Sequence, residues 1–250
     1  MNHYNPFSLE NKTILVTGAS SGIGKAIAIE CSKMGANVIV TARNEERLKE
    51  TFSLLRGNNN NIIIADLTDE RDLDFIVKNL AELDGLVHCA GMTMSKPFQF
   101  YSKDKIDTIM GVNFFSPLLL TQMLLKAKKI KRQSSIVFIS SISGVYVANV
   151  GNSMYSASKG AINGLIKGLA LELAPKNIRV NSVNPGMVET NIISSGVLSD
   201  EQLDEDKKRY PLKRYGSPIE IAYAVVYLLS DASSWTTGSN IVIDGGFTLL

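Results

Sequence analysis

The feature that most constrains the fold is a repeated alternation of short Val/Ile-rich runs with longer segments of helical periodicity. Apolar residues in the longer segments recur every three to four positions, as on one face of a helix. Short β-branched runs that alternate with amphipathic helices predict a parallel sheet covered by helices on both faces. The predicted strands lie at about 13–16, 37–41, 61–65, 85–88, 135–140, 179–184 and 240–243. The predicted helices span about 22–34, 44–55, 69–81, 102–130, 153–174 and 217–230. The pattern therefore predicts a doubly wound α/β domain, with no repeat or linker that divides the chain.

Composition narrows the class of protein. A chain of 250 residues, 45% of them hydrophobic, is long enough for one sizeable core. Its formal net charge of +2 gives no electrostatic reason to expect a nucleic acid or an anionic membrane as partner. Two cysteines and two histidines without metal-ligand spacing predict no metal site and no disulfide framework. Since no leader sequence and no segment as long as a membrane span is recognisable, we expect a soluble, cytoplasmic protein.

A glycine-rich segment joins the first predicted strand to the first helix. It reads Thr17-Gly-Ala-Ser-Ser-Gly-Ile-Gly24. Glycines let the backbone turn tightly and approach a pyrophosphate, whose charge a helix N-terminus stabilises. The context is that of a dinucleotide-binding turn, although the spacing is GxxxGxG and not GxGxxG. The alternative is a turn that only closes the strand–helix unit.

Tyr155 and Lys159 lie one helical turn apart in the run Tyr-Ser-Ala-Ser-Lys. Residues at i and i+4 share one helix face. An ammonium close to a phenol favours the phenolate and lowers the phenol pKa by about one to three units. The pair is therefore a candidate proton donor, although the same spacing also occurs on solvated helix surfaces.

An ordered series of motifs accompanies this pair. The series is Thr17-Gly18-xxx-Gly22-Ile23-Gly24, Asp66-Leu67, Ala90-Gly91, Asn113, Ser141, Tyr155-xxx-Lys159, Pro185-Gly186 with Thr190, and Asp244-Gly245-Gly246. It resembles the short-chain dehydrogenase/reductase family over essentially the whole length. The resemblance implies that residues 1–250 form a single NAD(P)-binding Rossmann-fold domain around a mostly parallel seven-stranded sheet. It also implies an enzyme that transfers hydride between a nicotinamide and a carbonyl or secondary alcohol.

The resemblance assigns catalytic roles to Ser141 and Tyr155. Tyr155 would donate the proton to the substrate carbonyl oxygen, and Ser141 would hydrogen-bond that oxygen as charge builds on it. Ser140 and Ser143 are local rivals of Ser141, and each of the three is also explained as a strand-end hydroxyl that satisfies the backbone.

Two further residues complete the catalytic set that the resemblance implies. Lys159 would hold the nicotinamide ribose and lower the pKa of Tyr155. Asn113, an amide inside a predicted helix, would anchor a water that leads from Lys159 to bulk solvent. A surface helix residue is the competing interpretation of Asn113.

The resemblance also implies a cofactor site. Its members would be Gly18, Ser20, Ser21, Gly22, Ile23, Gly24, Arg43, Asp66, Leu67, Ala90, Gly91, Tyr155, Lys159, Pro185, Gly186, Val188 and Thr190. Asp66 would accept from the adenine amino group, unless it is only a turn aspartate. The sequence departs from the family's usual Asn-Asn-Ala-Gly at His88, where a structural substitution is the better explanation than a catalytic histidine.

The end of the second strand bears on cofactor choice. NAD-specific sites present an acid there, whereas an arginine accommodates the 2′-phosphate of NADP. Here the acidic position is Ala42 and the next residue is Arg43. We therefore expect NADP(H) to be preferred, with NAD(H) possible. Arg43 could instead pair with Glu46, for which Arg47 would compete.

Substrate and partners are less constrained. Within the family the chain most resembles 3-oxoacyl-acyl-carrier-protein reductases. A sugar, polyol or other secondary-alcohol dehydrogenase is the alternative enzyme, and a catalytically silent NADP-binding scaffold or sensor is the alternative of another class.

The stretch at about 187–214 departs from the strand–helix rhythm and is interpreted as a substrate loop or lid, or as an exposed insertion. The resemblance implies a homotetramer, and Arg132 and Lys176 match the two basic positions at which an acyl carrier protein would dock beside the active-site mouth.

Overall fold

The computed structural model describes residues 4–190 and 200–250, and it contains one seven-stranded sheet. Its strands are β1 (Thr13–Thr17), β2 (Asn37–Ala42), β3 (Asn61–Ile64), β4 (Leu83–His88), β5 (Ile130–Ile139), β6 (Arg179–Pro185) and β7 (Asn240–Ile243). The strand order is β3-β2-β1-β4-β5-β6-β7. All six pairings are parallel. The predicted fold class is confirmed.

Helices cover the sheet on both faces. They are α1 (Gly22–Lys33), α2 (Glu45–Ser53), α3 (Glu70–Asn79), α4 (Lys103–Met110), α5 (Ser116–Lys126), α6 (Ser153–Leu173), α7 (Asp200–Lys208) and α8 (Pro218–Leu229). One core layer combines the sheet with side chains of α1, α2 and α8. The other combines it with side chains of α3, α5 and α6. A central sheet that contributes alternate side chains to two layers explains why its strands are apolar on both faces.

The strand order reverses between β1 and β4. After β1 the chain adds β2 and then β3 on one side of β1. It then returns to form β4 on the other side of β1 and adds β5, β6 and β7 beyond it. At such a switch point the loops beyond the carboxyl ends of the two strands diverge and leave a crevice, which is where ligands bind in open α/β sheets. The topology therefore places the predicted glycine turn and the Ala90-Gly91 segment at the same crevice.

The segment predicted as one helix at about 102–130 is interrupted and shorter. A π-helical stretch, Gly111–Phe115, joins α4 to α5. The Ser116 hydroxyl donates to the Gly111 carbonyl at 2.8 Å. The helix ends at Lys126, and Lys128 has a φ of 56°, which breaks the helical path. The chain then enters β5 at Ile130, so the predicted helix end is wrong by four residues.

Helix α4, the π-helical stretch and α5 together, Lys103–Lys126, are long and apolar enough to span a membrane by length and composition alone, and an 18-residue window of this segment has a mean hydropathy of 1.4. The expectation that no segment reaches that length is wrong. In the structure this helix belongs to the folded core, because Ile109, Leu120 and Leu124 are fully buried. Phe114, Leu119, Met123 and Leu125 are partly buried against the core layer that contains Leu120 and Leu124, whereas Phe115 is half-exposed.

Candidate active site

The glycine turn after β1 has the geometry that a phosphate cradle needs. Gly18 has a φ of 66°, and a β-carbon there would lie 2.7 Å from the backbone of Ala90. A β-carbon at Gly24 would lie 2.2 Å from the Gly18 carbonyl oxygen. Ser21 precedes α1 with extended backbone and, within the described residues, forms no side-chain cap. The first amides of α1 are therefore available to an anion.

A cleft of about 510 Å³ opens along the carboxyl edge of the sheet. It runs from Arg43 and Asp66 at one end to Tyr155 and Ser141 at the other. All the residues predicted for the cofactor line it, which are Gly18, Ser20, Ser21, Gly22, Ile23, Gly24, Arg43, Asp66, Leu67, Ala90, Gly91, Tyr155, Lys159, Pro185, Gly186, Val188 and Thr190. The cleft is thus continuous from the predicted adenine end to the predicted catalytic residues.

Ser141 and Tyr155 are hydrogen-bonded to each other at the inner end of the cleft. Burial raises the pKa of Tyr155 above its usual value, and the hydrogen bond from Ser141 offsets only part of that effect. Of the two rivals of Ser141, Ser140 is committed elsewhere, because its hydroxyl donates to the Lys159 carbonyl at 3.0 Å. Ser143 contributes its backbone amide, which donates to the Ser141 hydroxyl at 3.1 Å. The geometry favours Ser141 as the serine that meets the substrate oxygen.

Lys159 is buried on the same face of α6. Its Nζ donates to the Ile139 carbonyl at 2.8 Å and lies 5.9 Å from the centroid of the Tyr155 ring. Burial lowers the pKa of Lys159 to about 8. The expectation that Lys159 lowers the pKa of Tyr155 is not met in this structure, since desolvation of the phenol dominates.

Asn113 lies in the π-helical stretch and is buried. Its Oδ1 accepts from the Met92 amide at 2.8 Å, and its Nδ2 donates to the Met92 carbonyl at 2.9 Å. Nδ2 also donates to the Ser158 hydroxyl at 3.0 Å. Ser158 in turn donates to the Tyr155 carbonyl at 2.7 Å. Asn113 therefore fastens the loop after β4 to the helix that carries Tyr155 and Lys159, and a surface role for it is wrong.

Ser158 was not recognised from the sequence, because its role depends on this contact with a residue 45 positions away. The side chain is fully buried. It both accepts from Asn113 and donates to the backbone of its own helix, so it completes the link between the two helices. Gly91 borders the same point, since a β-carbon there would lie 3.4 Å from Asn113 Oδ1 and 3.5 Å from Lys159 Nζ.

The outer end of the cleft is built around Asp66. Its Oδ1 accepts from the amide and the hydroxyl of Thr68, at 2.9 and 2.7 Å, which is the bonding of a turn aspartate. Its Oδ2 lies 3.5 Å from Arg43 Nη1. Burial acts to raise the pKa of Asp66, but the Thr68 hydrogen bonds and the charge of Arg43 outweigh it and lower the pKa. Arg43 thus faces Asp66, and not Glu46 as the sequence alternative had it.

The segment after β6 closes the cleft on its other side. A β-carbon at Gly186 would lie 2.9 Å from Asp244, and one at Gly22 would lie 3.2 Å from the Thr190 methyl group. Val188 forms an isolated bridge with Gly216. The segment at about 187–214 that was interpreted as a loop or lid includes residues 191–199, which lie outside the described residues. Its described part contains α7 and the buried Tyr210, whose ring packs 4.7 Å from that of Phe247.

His88 has a structural environment. Its Nε2 lies 2.8 Å from the Thr121 hydroxyl oxygen, and its ring stacks on Phe138 at 4.6 Å. Burial lowers the pKa of His88 to about 3, so the imidazole is neutral near neutral pH. This supports the structural interpretation of the departure from the family pattern.

Arg132 and Lys176 come together, but not beside the active-site mouth of their own chain. Arg132 Nη2 donates to the Pro175 carbonyl at 3.2 Å. Arg132 lies in the irregular start of β5, where the pairing with β4 skips from Ile130 to Ser135. The regular part of the strand, Ser135–Ile139, spans about 13 Å at about 3.3 Å per residue, and it separates Arg132 from Ser141. Within one chain, both cations therefore lie at the edge of the sheet opposite to the active-site mouth.

Arg132 ends a basic run, Lys126, Lys128, Lys129 and Lys131, which begins in the last turn of α5 and continues beyond the helix. Lys131 forms an ion pair with Asp84 at 2.8 Å, and Lys129 Nζ donates to the Leu80 carbonyl at 2.5 Å. Lys129 and Lys131 follow the end of α5, in the turn and the first part of β5. They are held by local partners at the amino edge of the sheet.

A glycine cradle at the switch point of a parallel sheet, with a Ser–Tyr–Lys group at the inner end of the cleft, defines an oxidoreductase that uses a nicotinamide cofactor on carbonyl or alcohol groups. A family model described as Enoyl-(Acyl carrier protein) reductase matches residues 18–248. The 3-oxoacyl-[acyl-carrier-protein] reductase FabG of Rickettsia prowazekii is 35% identical over 243 residues, covering 97% of this chain and 99% of the relative. A tropinone reductase homolog of Arabidopsis thaliana is 36% identical over 250 residues, covering 97% of this chain and 94% of the relative.

Solved structures agree with this class. A putative gluconate dehydrogenase from Agrobacterium tumefaciens superposes with a TM-score of 0.90 at 26% identity, covering 99% of this chain and 100% of that one. A short chain dehydrogenase/reductase family protein superposes with a TM-score of 0.87 at 29% identity, covering 97% and 100%. The chain belongs to the short-chain dehydrogenase/reductase family.

Proposed function

We propose that this protein is an NADPH-dependent reductase of 3-oxoacyl thioesters, with the acyl group presented by an acyl carrier protein. The observation that carries the proposal is the cleft itself, which joins an intact Ser141–Tyr155–Lys159 group to an outer end with Arg43 and no acid at position 42. The relatives named 3-oxoacyl-[acyl-carrier-protein] reductase, which match nearly the full chain, support the substrate class.

The residues of the site suit reduction. When bound, the nicotinamide supplies the hydride to the carbonyl carbon. Tyr155 holds the proton for the carbonyl oxygen, and its raised pKa keeps the phenol protonated near neutral pH. Ser141 donates a hydrogen bond to the oxygen as negative charge develops there, and the proton then moves from Tyr155 Oη to it. Lys159 donates to the Ile139 carbonyl, and this bond holds its ammonium group near the ring of Tyr155.

The outer end fits NADPH better than NADH. In NAD-specific sites an acidic residue at the end of the second strand binds the ribose diol. In this protein the residue at that position is Ala42, whose methyl group cannot accept a hydrogen bond. Arg43 is largely exposed, and its contact with Asp66 at 3.5 Å is long for an ion pair. An arginine that is only loosely held is available to a 2′-phosphate.

A second candidate function is oxidation or reduction of a small secondary alcohol or ketone. The structural similarity to a putative gluconate dehydrogenase and the sequence similarity to a tropinone reductase homolog favour it. A catalytically silent NADP-binding protein is the weaker candidate, because the catalytic side chains Asn113, Ser141, Tyr155 and Lys159 are all present.

One panel separates these functions. The loss of NADPH absorbance is measured with an acetoacetyl thioester, a set of ketoses and a bicyclic amino ketone, each with NADPH and with NADH. We expect turnover of the thioester with NADPH. Turnover of the sugars or of the amino ketone alone would replace the proposed substrate class, and binding of NADPH without turnover of any substrate would support the silent alternative.

Presentation by a carrier protein is tested by reversing the charge of Arg132 and Lys176 to Glu. Docking of an acidic carrier there predicts a higher KM for the carrier-bound substrate alone, with a wild-type advantage that shrinks at high salt. Because both cations lie far from Tyr155 of their own chain, the acyl group would enter the active site of another protomer. An equal effect on the carrier-bound and the small thioester would contradict docking at these residues.

A further inference from the structure

The first turn of α2 places a second arginine at the outer end of the cleft. Asn44 caps the helix, and its Oδ1 accepts from the Arg47 amide at 2.9 Å. This bond fixes the backbone of Arg47 in the first turn, next to Asn44 and Arg43. All three residues line the cleft together with Asp66 and Thr68.

The charges around Arg47 leave it without a partner. Glu45, its neighbour in the first turn, is paired with Lys49 at 2.7 Å. Glu46 is exposed and does not line the cleft. Among the described residues, no ion pair and no side-chain hydrogen bond holds the Arg47 guanidinium.

The only carboxylate that lines this end of the described cleft is Asp66, and it is already committed. One of its oxygens accepts two hydrogen bonds from Thr68, and the other faces Arg43. Two guanidinium groups against one carboxylate leave a net positive charge at the cleft end. A phosphate monoester carries close to two negative charges at neutral pH, and arginine binds it by charge-assisted hydrogen bonds.

We infer that Arg47 binds the 2′-phosphate of NADPH together with Arg43, and that the two arginines share the discrimination against NADH. The inference rests on the proposed preference for NADPH. It adds that Arg43 alone does not account for this preference. Removal of Arg43 should therefore leave a residual preference for NADPH, which only the second substitution removes.

The experiment measures the dissociation constants of NADPH and NADH by titration of cofactor fluorescence, for the unmutated protein, Arg43→Ala, Arg47→Ala and the double variant. Loss of one charge-assisted phosphate contact corresponds to about a tenfold weakening or more. We expect Arg47→Ala to weaken NADPH by about tenfold while NADH changes by less than about twofold. We also expect adenosine 2′,5′-bisphosphate to lose affinity in parallel with NADPH, and adenosine 5′-monophosphate to be unaffected.

Arg71→Ala is the matched control. Arg71 also lies in the first turn of a helix at this edge of the sheet, but it pairs with Asp69 at 2.6 Å and does not line the cleft. Its removal should leave both cofactors unaffected. Equal weakening of NADPH and NADH by Arg47→Ala would overturn the inference, as would loss of the whole preference in Arg43→Ala alone. If the unmutated protein binds both cofactors equally, the proposed cofactor fails, and this inference fails with it.

Discussion

Replacement of Lys159 by methionine should make the stability difference between the two proteins depend on pH. Lys159 is buried, and burial lowers its pKa from 10.5 in an exposed lysine to about 8. Between these two values the unfolded chain binds a proton that the folded protein does not. The free energy of unfolding that Lys159 contributes therefore rises as the pH is raised through this window.

The expected size follows from the two pKa values. At about pH 7 Lys159 is charged in the folded protein. Holding this charge in a buried position, and not in water, lowers the free energy of unfolding by roughly 3 kcal/mol. At about pH 9.5 the folded lysine is neutral, and roughly 1 kcal/mol of that reduction remains. The wild-type protein should therefore gain about 2 kcal/mol relative to Lys159→Met between these two pH values. Since Met cannot titrate, groups that do not interact with Lys159 contribute equally to both proteins and cancel in the difference.

The assay is urea unfolding without cofactor, followed by circular dichroism, at equal protomer concentrations because any oligomer makes stability concentration-dependent. Lys167→Met, at an exposed position of the same helix, controls for the loss of a positive charge. A difference between wild type and Lys159→Met that stays constant from neutral to alkaline pH would refute the claim that burial depresses this lysine, and a fall with rising pH would reverse it.

Three further predictions concern catalysis and assembly. Tyr155→Phe should abolish turnover while the dissociation constant of NADPH changes little, because only the transferable proton is lost; a variant that keeps a substantial share of the wild-type rate would exclude Tyr155 as the acid. Ser158→Ala should lower kcat by about fivefold with little change in cofactor affinity, because Asn113 loses one hydrogen bond worth about 1 kcal/mol. The control Ser156→Ala, on the same helix, should leave kcat unchanged. An effect of Ser158→Ala confined to thermal stability would argue against a positioning role. Light scattering at micromolar protein should give an oligomeric mass, because the half-exposed Phe115 and the exposed Leu249 and Leu250 are apolar surface of the kind that subunit contacts bury, and a purely monomeric mass would count against the predicted tetramer.

Motifs that act through short-range geometry were predictable from the sequence. The glycines at 18 and 24 follow a Val/Ile-rich strand and precede a helix, which fixes the turn, and the structure shows that a β-carbon at either position would collide with backbone. Because the strands are parallel, their carboxyl ends share one edge of the sheet. Residues that follow β1, β3, β4, β5 and β6 therefore had to line one cleft, whatever the details of the loops.

Features that depend on contacts between distant segments were not predictable. The π-helical stretch at Gly111–Phe115 adds a single residue to one helical turn, which is too small a change to be visible in the apolar periodicity. Asn113 lies in this stretch and is buried against Met92 and Ser158. The pKa of Tyr155 is a second case. Spacing alone brings Lys159 near the phenol, but it does not show that both groups are desolvated, and desolvation acts in the opposite direction.

The positions of Arg132 and Lys176 show why spacing along the sequence does not fix a location within one chain. Arg132 lies nine residues before Ser141 and Lys176 comes shortly after α6, as in the docking pattern, but β5 and α6 each run from one edge of the sheet to the opposite edge. Arg132 lies at the start of β5, and α6 descends about 27 Å from Tyr155 to Leu173 before the chain reaches Lys176. The two cations therefore form one basic patch at the edge opposite to the cleft. If a carrier protein docks there, its acyl group must be delivered to a different copy of the chain, so the docking proposal requires the oligomer and fails if the protein is a monomer.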